Sequence, residues 1–114
     1  MLQKRNRALA GLLRESVTLQ RRSLDVNGDP LGPWIDIFAT PARVLSRTAG
    51  EAVAAQRVTG VQPVEVTLRL DRYSALIDTD WRLMWLGWPF EITTVAPDEV
   101  QALLVLMAVR SRAD

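Results

Sequence analysis

Residues 78–95, DTDWRLMWLGWPFEITTV, hold three of the chain's four tryptophans within eight positions. Trp81, Leu83 and Trp85 alternate with Arg82, Met84 and Leu86, the period of two that places successive side chains on opposite faces of a strand. One face is almost wholly apolar and the other is mixed. The residues from Gly87 to Pro89 interrupt the run before PFEITTVA begins, so the stretch reads as two strands joined in a tight hairpin. Trp81 and Trp85 are predicted in a core. Trp88, beside the hairpin break, is predicted on a surface that meets another protein, because tryptophan dominates interfaces as well as cores.

The same period recurs on both sides of the hairpin. In 63–73, PVEVTLRLDRY, Val64, Val66, Leu68 and Leu70 point one way and Glu65, Thr67, Arg69 and Asp71 the other. In 16–22, SVTLQRR, Val17 and Leu19 alternate with Thr18 and Gln20. The turn-rich stretch 23–33 follows, and its Asn27-Gly28 pair favours a hairpin because both residue types tolerate positive φ. A second strand is predicted over 34–46, WIDIFATPARVLS, with Pro41 marking an edge or bulge since it has no N–H for a ladder. The last strand is predicted over 99–110 and is apolar on both faces for much of its length. Between the second and third strands the pattern changes. Thr48 followed three residues later by Glu51 forms a capping box, and alanines continue it as a short helix that ends near Thr59-Gly60. The expected fold is all-β: about six antiparallel strands in a small barrel or sandwich, with one short helix inserted between the second and third strands. A basic arm (1–15) precedes a single domain (16–114) that carries the insertion at 47–62.

Composition sets limits on the chemistry. The chain has 114 residues, 48% hydrophobic and 24% charged, which suits one modest globular core. It has no cysteine and no histidine, so thiolate chemistry and the commonest general base and metal ligand are all missing. Asp78 and Asp80 could share a strand face as a carboxylate pair, but in the context IDTD they read as turn residues that bond their own backbone. There is no glycine-rich phosphate loop. No enzyme, no metal and no cofactor is expected. The longest apolar run, residues 102–109, is eight residues, far short of the roughly twenty that span a bilayer. No membrane partner is expected, and the apolar stretch from Ala8 to Leu13 is too short for a secretory signal.

Charge is unevenly placed. Residues 1–22 carry Lys4, Arg5, Arg7, Arg14, Arg21 and Arg22 against Glu15 alone, whereas the remainder has eight arginines against twelve acids. A basic arm on a near-neutral body fits an acidic partner, protein or nucleic acid, and equally fits a solvated terminus. A barrel that stacks single-stranded nucleic acid on its sheet is a second reading. The tryptophans, however, stand in apolar company with few interleaved basic residues.

The order of landmarks resembles the phage head–tail joining family, the head-completion or stopper proteins of tailed-phage necks and gene transfer agents. The matching points are Leu13-Arg14 before VTLQ, the stretch from Ser46 to Glu51 leading into AAQ, Arg69, and Gly87 followed by Phe90 to Ile92. They span about residues 11–110. Two features depart from the family: Trp88-Pro89 stands where an arginine often follows the hairpin glycine, and the last strand is less charged. The resemblance implies a ring of copies, sixfold or twelvefold, below the portal or adaptor protein and above a tail terminator or tail tube. Double-stranded DNA would pass non-specifically through its axis, in a particle assembled in a host cytoplasm. A tail-terminator protein from the same neck is a further alternative.

Within that reading, 47–62 is the candidate segment that closes the channel, with Arg47, Glu51, Gln56 and Arg57 its polar residues. A connection this long in a compact domain is usually functional or disordered, although a helix that simply caps the barrel accounts for it as well. Lys4, Arg5, Arg7 and Arg14 are candidates for docking or DNA contact. Trp88 and Phe90 are candidates for the subunit interface.

Overall fold

The computed structural model describes residues 12–46 and 62–110. Six strands appear in chain order: β1 (Glu15–Leu24), β2 (Pro30–Ser46), β3 (Gln62–Arg69), β4 (Arg82–Trp85), β5 (Trp88–Asp98) and β6 (Leu103–Arg110). All neighbours are antiparallel, and the sheet closes on itself in the order β1-β2-β3-β6-β5-β4. Closure removes most of the exposed sheet edge that a six-stranded open sheet would leave to unwanted pairing. The all-β, six-stranded expectation is met. The helix expected between β2 and β3 falls in 47–61, outside the described residues. Among the described residues, the one helical segment with both ends in view is the 3-10 turn Ser74–Leu76.

Alternation fills the barrel. Val17 and Leu19 of β1, Val64, Val66 and Leu68 of β3, Leu83 of β4, and Leu104, Leu106 and Ala108 of β6 are all buried in one cluster. Trp81 is buried with them, while Trp85 and Phe38 pack against its margin. The outward face of β6 (Val105, Met107, Val109) is half-buried. The seam that closes the ring, β1 against β4, has only three residue pairs, Thr18↔Met84 to Gln20↔Arg82. Side chains reinforce it: Arg82 Nε donates to Gln20 Oε1 at 2.6 Å, Gln20 Nε2 donates to Asp36 Oδ1 at 2.7 Å, and Trp85 Nε1 donates to Glu15 Oε1 at 3.1 Å.

Several boundaries differ from the sequence reading, each for a backbone reason. β2 begins at Pro30, four residues before the predicted start, because β1 and β2 continue as a two-stranded ribbon beyond the third-strand contacts. Pro41 lies inside the β1–β2 ladder opposite Ser16, one residue before the β2–β3 ladder starts at Ala42, so its missing N–H falls at the end of a ladder. The register shifts lie elsewhere, between Leu19 and Gln20 and between Arg21 and Ser23. In the turn joining β1 to β2, Gly28 takes positive φ and Asn27 does not. Asp25 organises that turn instead, its Oδ1 accepting from the backbone N–H of Asn27 and Asp29 at 2.8 and 2.9 Å. β3 ends at Arg69 because Asp71 Oδ1 accepts from the N–H of Tyr73 and Ser74, turning the chain over the barrel mouth. β6 starts at Leu103, after a turn closed by Gln101 N–H on Asp98 Oδ1 and by Ala102 at φ 56°.

An antiparallel ring places its connections alternately. The β1–β2 turn, the crossover from β3 to β4 and the β5–β6 turn share one end of the barrel, the loop end. The hairpin tip between β4 and β5 lies at the other end, together with Ser46 and Gln62, the beginning of β1 and the end of β6.

Candidate functional site

At that second end the hairpin turn consists of two residues, Leu86 at φ 52° and Gly87 at φ 81°, with Trp85 and Trp88 paired directly behind them. Two successive positive φ values make a type I′ turn, whose twist matches that of the flanking strands. Glycine takes this conformation freely. A leucine there is strained, yet Leu86 keeps an apolar side chain that is 71% exposed. Trp88 opens β5 with 46% of its surface exposed. The Arg110 guanidinium lies over its ring, 3.6 Å from the centroid. Ser46, Val64, Trp85, Leu86, Trp88, Phe90 and Arg110 line a shallow groove of about 300 Å³ here. The groove therefore sits at the root of the 47–61 connection, since Ser46 ends β2 and Gln62 pairs with Arg110.

The expected interface pair is divided. Trp88 is exposed, whereas Phe90, two residues on and therefore on the same face of β5, lies deeper in the barrel, 3% exposed and 5.9 Å from the Trp85 ring. It contributes to the floor of the groove beside Trp88. Trp81 lies wholly in the core, its ring edge-on to Phe38. Of the basic arm, Arg14 is described and exposed. The preceding Leu13 is buried and shares a hollow with Thr40, Pro41, Arg69 and Asp71, so the barrel domain takes in residues assigned by sequence to the arm. Lys4, Arg5 and Arg7 lie outside the described residues, as do Arg47, Glu51, Gln56 and Arg57.

A feature the sequence reading missed sits on the barrel wall. Trp34 lies between two arginines, Arg82 at 4.5 Å and Arg22 at 5.2 Å from its ring centroid. Among the described residues Arg22 Nε is buried without a hydrogen-bond partner, and stacking on Trp34 is the contact that accommodates it there. Tyr73 and Trp81 also have arginines over their rings, Arg72 at 4.9 Å and Arg21 at 5.9 Å. Cations thus stand beside the aromatic rings after all, contrary to the expectation from sequence. They come from separate strands and register alone brings them together. Asp78 behaves as a turn residue, accepting from Thr79 N–H at 2.7 Å.

Among the described residues, no helix is long and apolar enough to cross a membrane, and no cluster of acids fit to hold a metal ion is present. The comparison with curated proteins yields no match. Among solved structures, the fold is similar to the solution structure of protein SF1141 from Shigella flexneri 2a. That match has a TM-score of 0.63 at 21% identity and covers 91% of this chain and 96% of the other. It is also similar to a chain in the virion of a native gene transfer agent particle, with a TM-score of 0.60 at 20% identity, covering 86% and 94% respectively. At these identities the likeness speaks for the fold. The family comparison goes further, because residues 9–111 match the family described as phage head completion protein. With nearly its whole length matched, the chain belongs to the phage head completion protein family and is a structural component of the head–tail region.

Proposed function

We propose that this chain works as a ring of copies, six or twelve, in the neck of a phage or gene transfer agent particle. There it sits under the portal or adaptor protein, closes the DNA-filled head and offers a docking surface to the tail. Family membership supports the location among head and tail proteins. The observation that carries the assembly role is the strained, exposed apolar hairpin tip, Leu86 with Trp88, at the barrel end where the 47–61 connection leaves and returns. A closed layer between portal and tail has to match their rotational symmetry, which limits the copy number. The alternative, a tail terminator one layer lower, shares the structural class. The single-strand-binding barrel is a second alternative, and the arginines beside Trp34 and Trp81 are the feature it would use.

In this reading the basic arm, with Lys4, Arg5, Arg7 and Arg14, docks on the layer above or lies near DNA, and 47–62 closes the channel. Two measurements test it. Quantitative mass spectrometry of purified particles should find six or twelve copies of the chain; one or two would end the ring reading. Replacing residues 49–60 with a short Gly-Ser turn should give a folded protein that still joins heads while packaged DNA escapes. Particles that retain their DNA and infect or transfer normally would remove the closure role. A chain that cannot fold would show that the segment only caps the core.

A further inference from the structure

The loop end, opposite the Trp88 groove, has its own pattern. Its connections and the strand ends beside them hold seven acids and three bases: Asp25 and Asp29 on the β1–β2 turn, Asp71, Asp78 and Asp80 on the crossover with Arg72 between Arg69 and Arg82, and Asp98 and Glu99 at the β5–β6 turn. Turn chemistry accounts for four of them. Asp25, Asp71, Asp78 and Asp98 each accept a backbone N–H that shapes their own loop. It does not account for Asp29, Asp80 and Glu99, one on each connection. All three are exposed, and among the described residues they form no hydrogen bond or ion pair through their carboxylates.

Each of the three connections also exposes one large aliphatic side chain: Val26, Leu76 and Val100. Scattered exposed apolar residues are ordinary. Here they repeat once per loop at a single end of the barrel, each accompanied by a carboxylate that its loop does not use. Apolar anchors with a polar, charged rim are the composition of a protein–protein contact surface.

We propose that this loop end docks on a different protein, one that presents lysines and arginines around an apolar surface. DNA is a poor occupant, because seven carboxylates outnumber the three arginines of this end and repel phosphate. A second copy is also a poor one. A loop-end to loop-end contact would be isologous and would set the same surplus of carboxylates against itself. The inference deepens the neck reading by assigning the loop end to the neighbouring layer, and the Trp88 end to whatever the 47–61 connection and the basic arm meet.

Its test is photo-crosslinking in assembled particles, with p-benzoylphenylalanine replacing Val100 in one variant and Leu76 in another. The expected result is an adduct with a different polypeptide, on a peptide with net positive charge. Combining either variant with D29K, D80K and E99K should reduce the adduct at least ~10-fold, since like charges then face each other. The same triple substitution should leave the thermal midpoint nearly unchanged, as none of the three carboxylates holds a turn. Adducts with a second copy or with DNA, no adduct at all, or adducts insensitive to charge reversal would each overturn the proposal. If the chain is absent from purified particles, the neck reading fails on its own. Irradiating intact producing cells then still decides the loop-end partner, by the same identity and charge-reversal criteria.

Discussion

Leu86 and Trp88 are two residues apart and differ in what holds them. Leu86 occupies a left-handed conformation that costs a leucine about 1 kcal/mol relative to a residue suited to it, and its side chain is largely in solvent. Leu86→Asn is therefore expected to stabilise the isolated chain by about 1 kcal/mol, since Asn-Gly is the preferred pair for this turn. A urea titration reads this directly, and a lower midpoint would mean that Leu86 packs on something in the free chain. The tryptophans separate just as clearly. Trp81→Ala removes a buried ring and should cost about 3–5 kcal/mol. Trp88→Ala removes an exposed ring with one stacked arginine and should cost about 1 kcal/mol or less. If the two substitutions cost the same in denaturant titrations, the division between core and surface tryptophans is wrong.

At the scale of elements, the crossover from β3 to β4 has to seal the barrel mouth without strand pairing, and one serine organises it. Ser74 is the only buried polar residue among those described. Its hydroxyl donates to the Arg69 carbonyl at 2.7 Å and accepts from Asp71 N–H at 2.9 Å, tying the end of β3 to the 3-10 turn. That tie sets Ile77 and Trp81 down into the core. Ser74→Ala leaves both backbone groups without a partner in a water-poor place and should cost about 1–3 kcal/mol. Hydrogen exchange should quicken first at Leu76 and Ile77, whose N–H groups bond to the Tyr73 and Ser74 carbonyls. An unchanged exchange pattern would show that the turn holds without the serine. The ribbon formed by the outer parts of β1 and β2 is the opposite case. Two strands alone are marginal in water, and here the Arg82–Trp34–Arg22 stack pins the ribbon to the wall.

Over the whole molecule, charge and topology combine. The loop end collects acids, whereas the basic N-terminal residues lead into β1 at the opposite end. If the arm contacts phosphate, neutralising Lys4, Arg5 and Arg7 should weaken binding to duplex DNA and lower its salt slope by about one unit per lost contact. If the arm docks on protein, the same change leaves DNA affinity alone and blocks incorporation into heads. Fluorescence anisotropy across a salt series, with particle yield measured in parallel, distinguishes the two. An arm that affects neither is simply solvated.

Strand identity and facing were legible in the sequence because a two-residue period is a local property. Val64, Val66 and Leu68 face inward wherever the strand lies, and Trp81, Leu83 and Trp85 follow the same rule. The turn role of Asp78 was legible for a similar reason, since its carboxylate bonds the backbone of the next residue. Composition likewise removed histidine and cysteine chemistry before any geometry was known. Non-local pairing decided the rest. Nothing in WIDIF shows that Trp34 will sit between Arg22 and Arg82, because those three residues meet only through the β1–β2 and β1–β4 registers. Phe90 and Trp88 share a face, and only the closed ring sets their depths: Trp88 stands at the mouth, while Phe90 lies opposite Leu83 inside the barrel. Which loops share an end follows from ring closure, a property of all six strands together, so the loop end with its three aliphatic side chains and three unengaged carboxylates exists only in the folded chain.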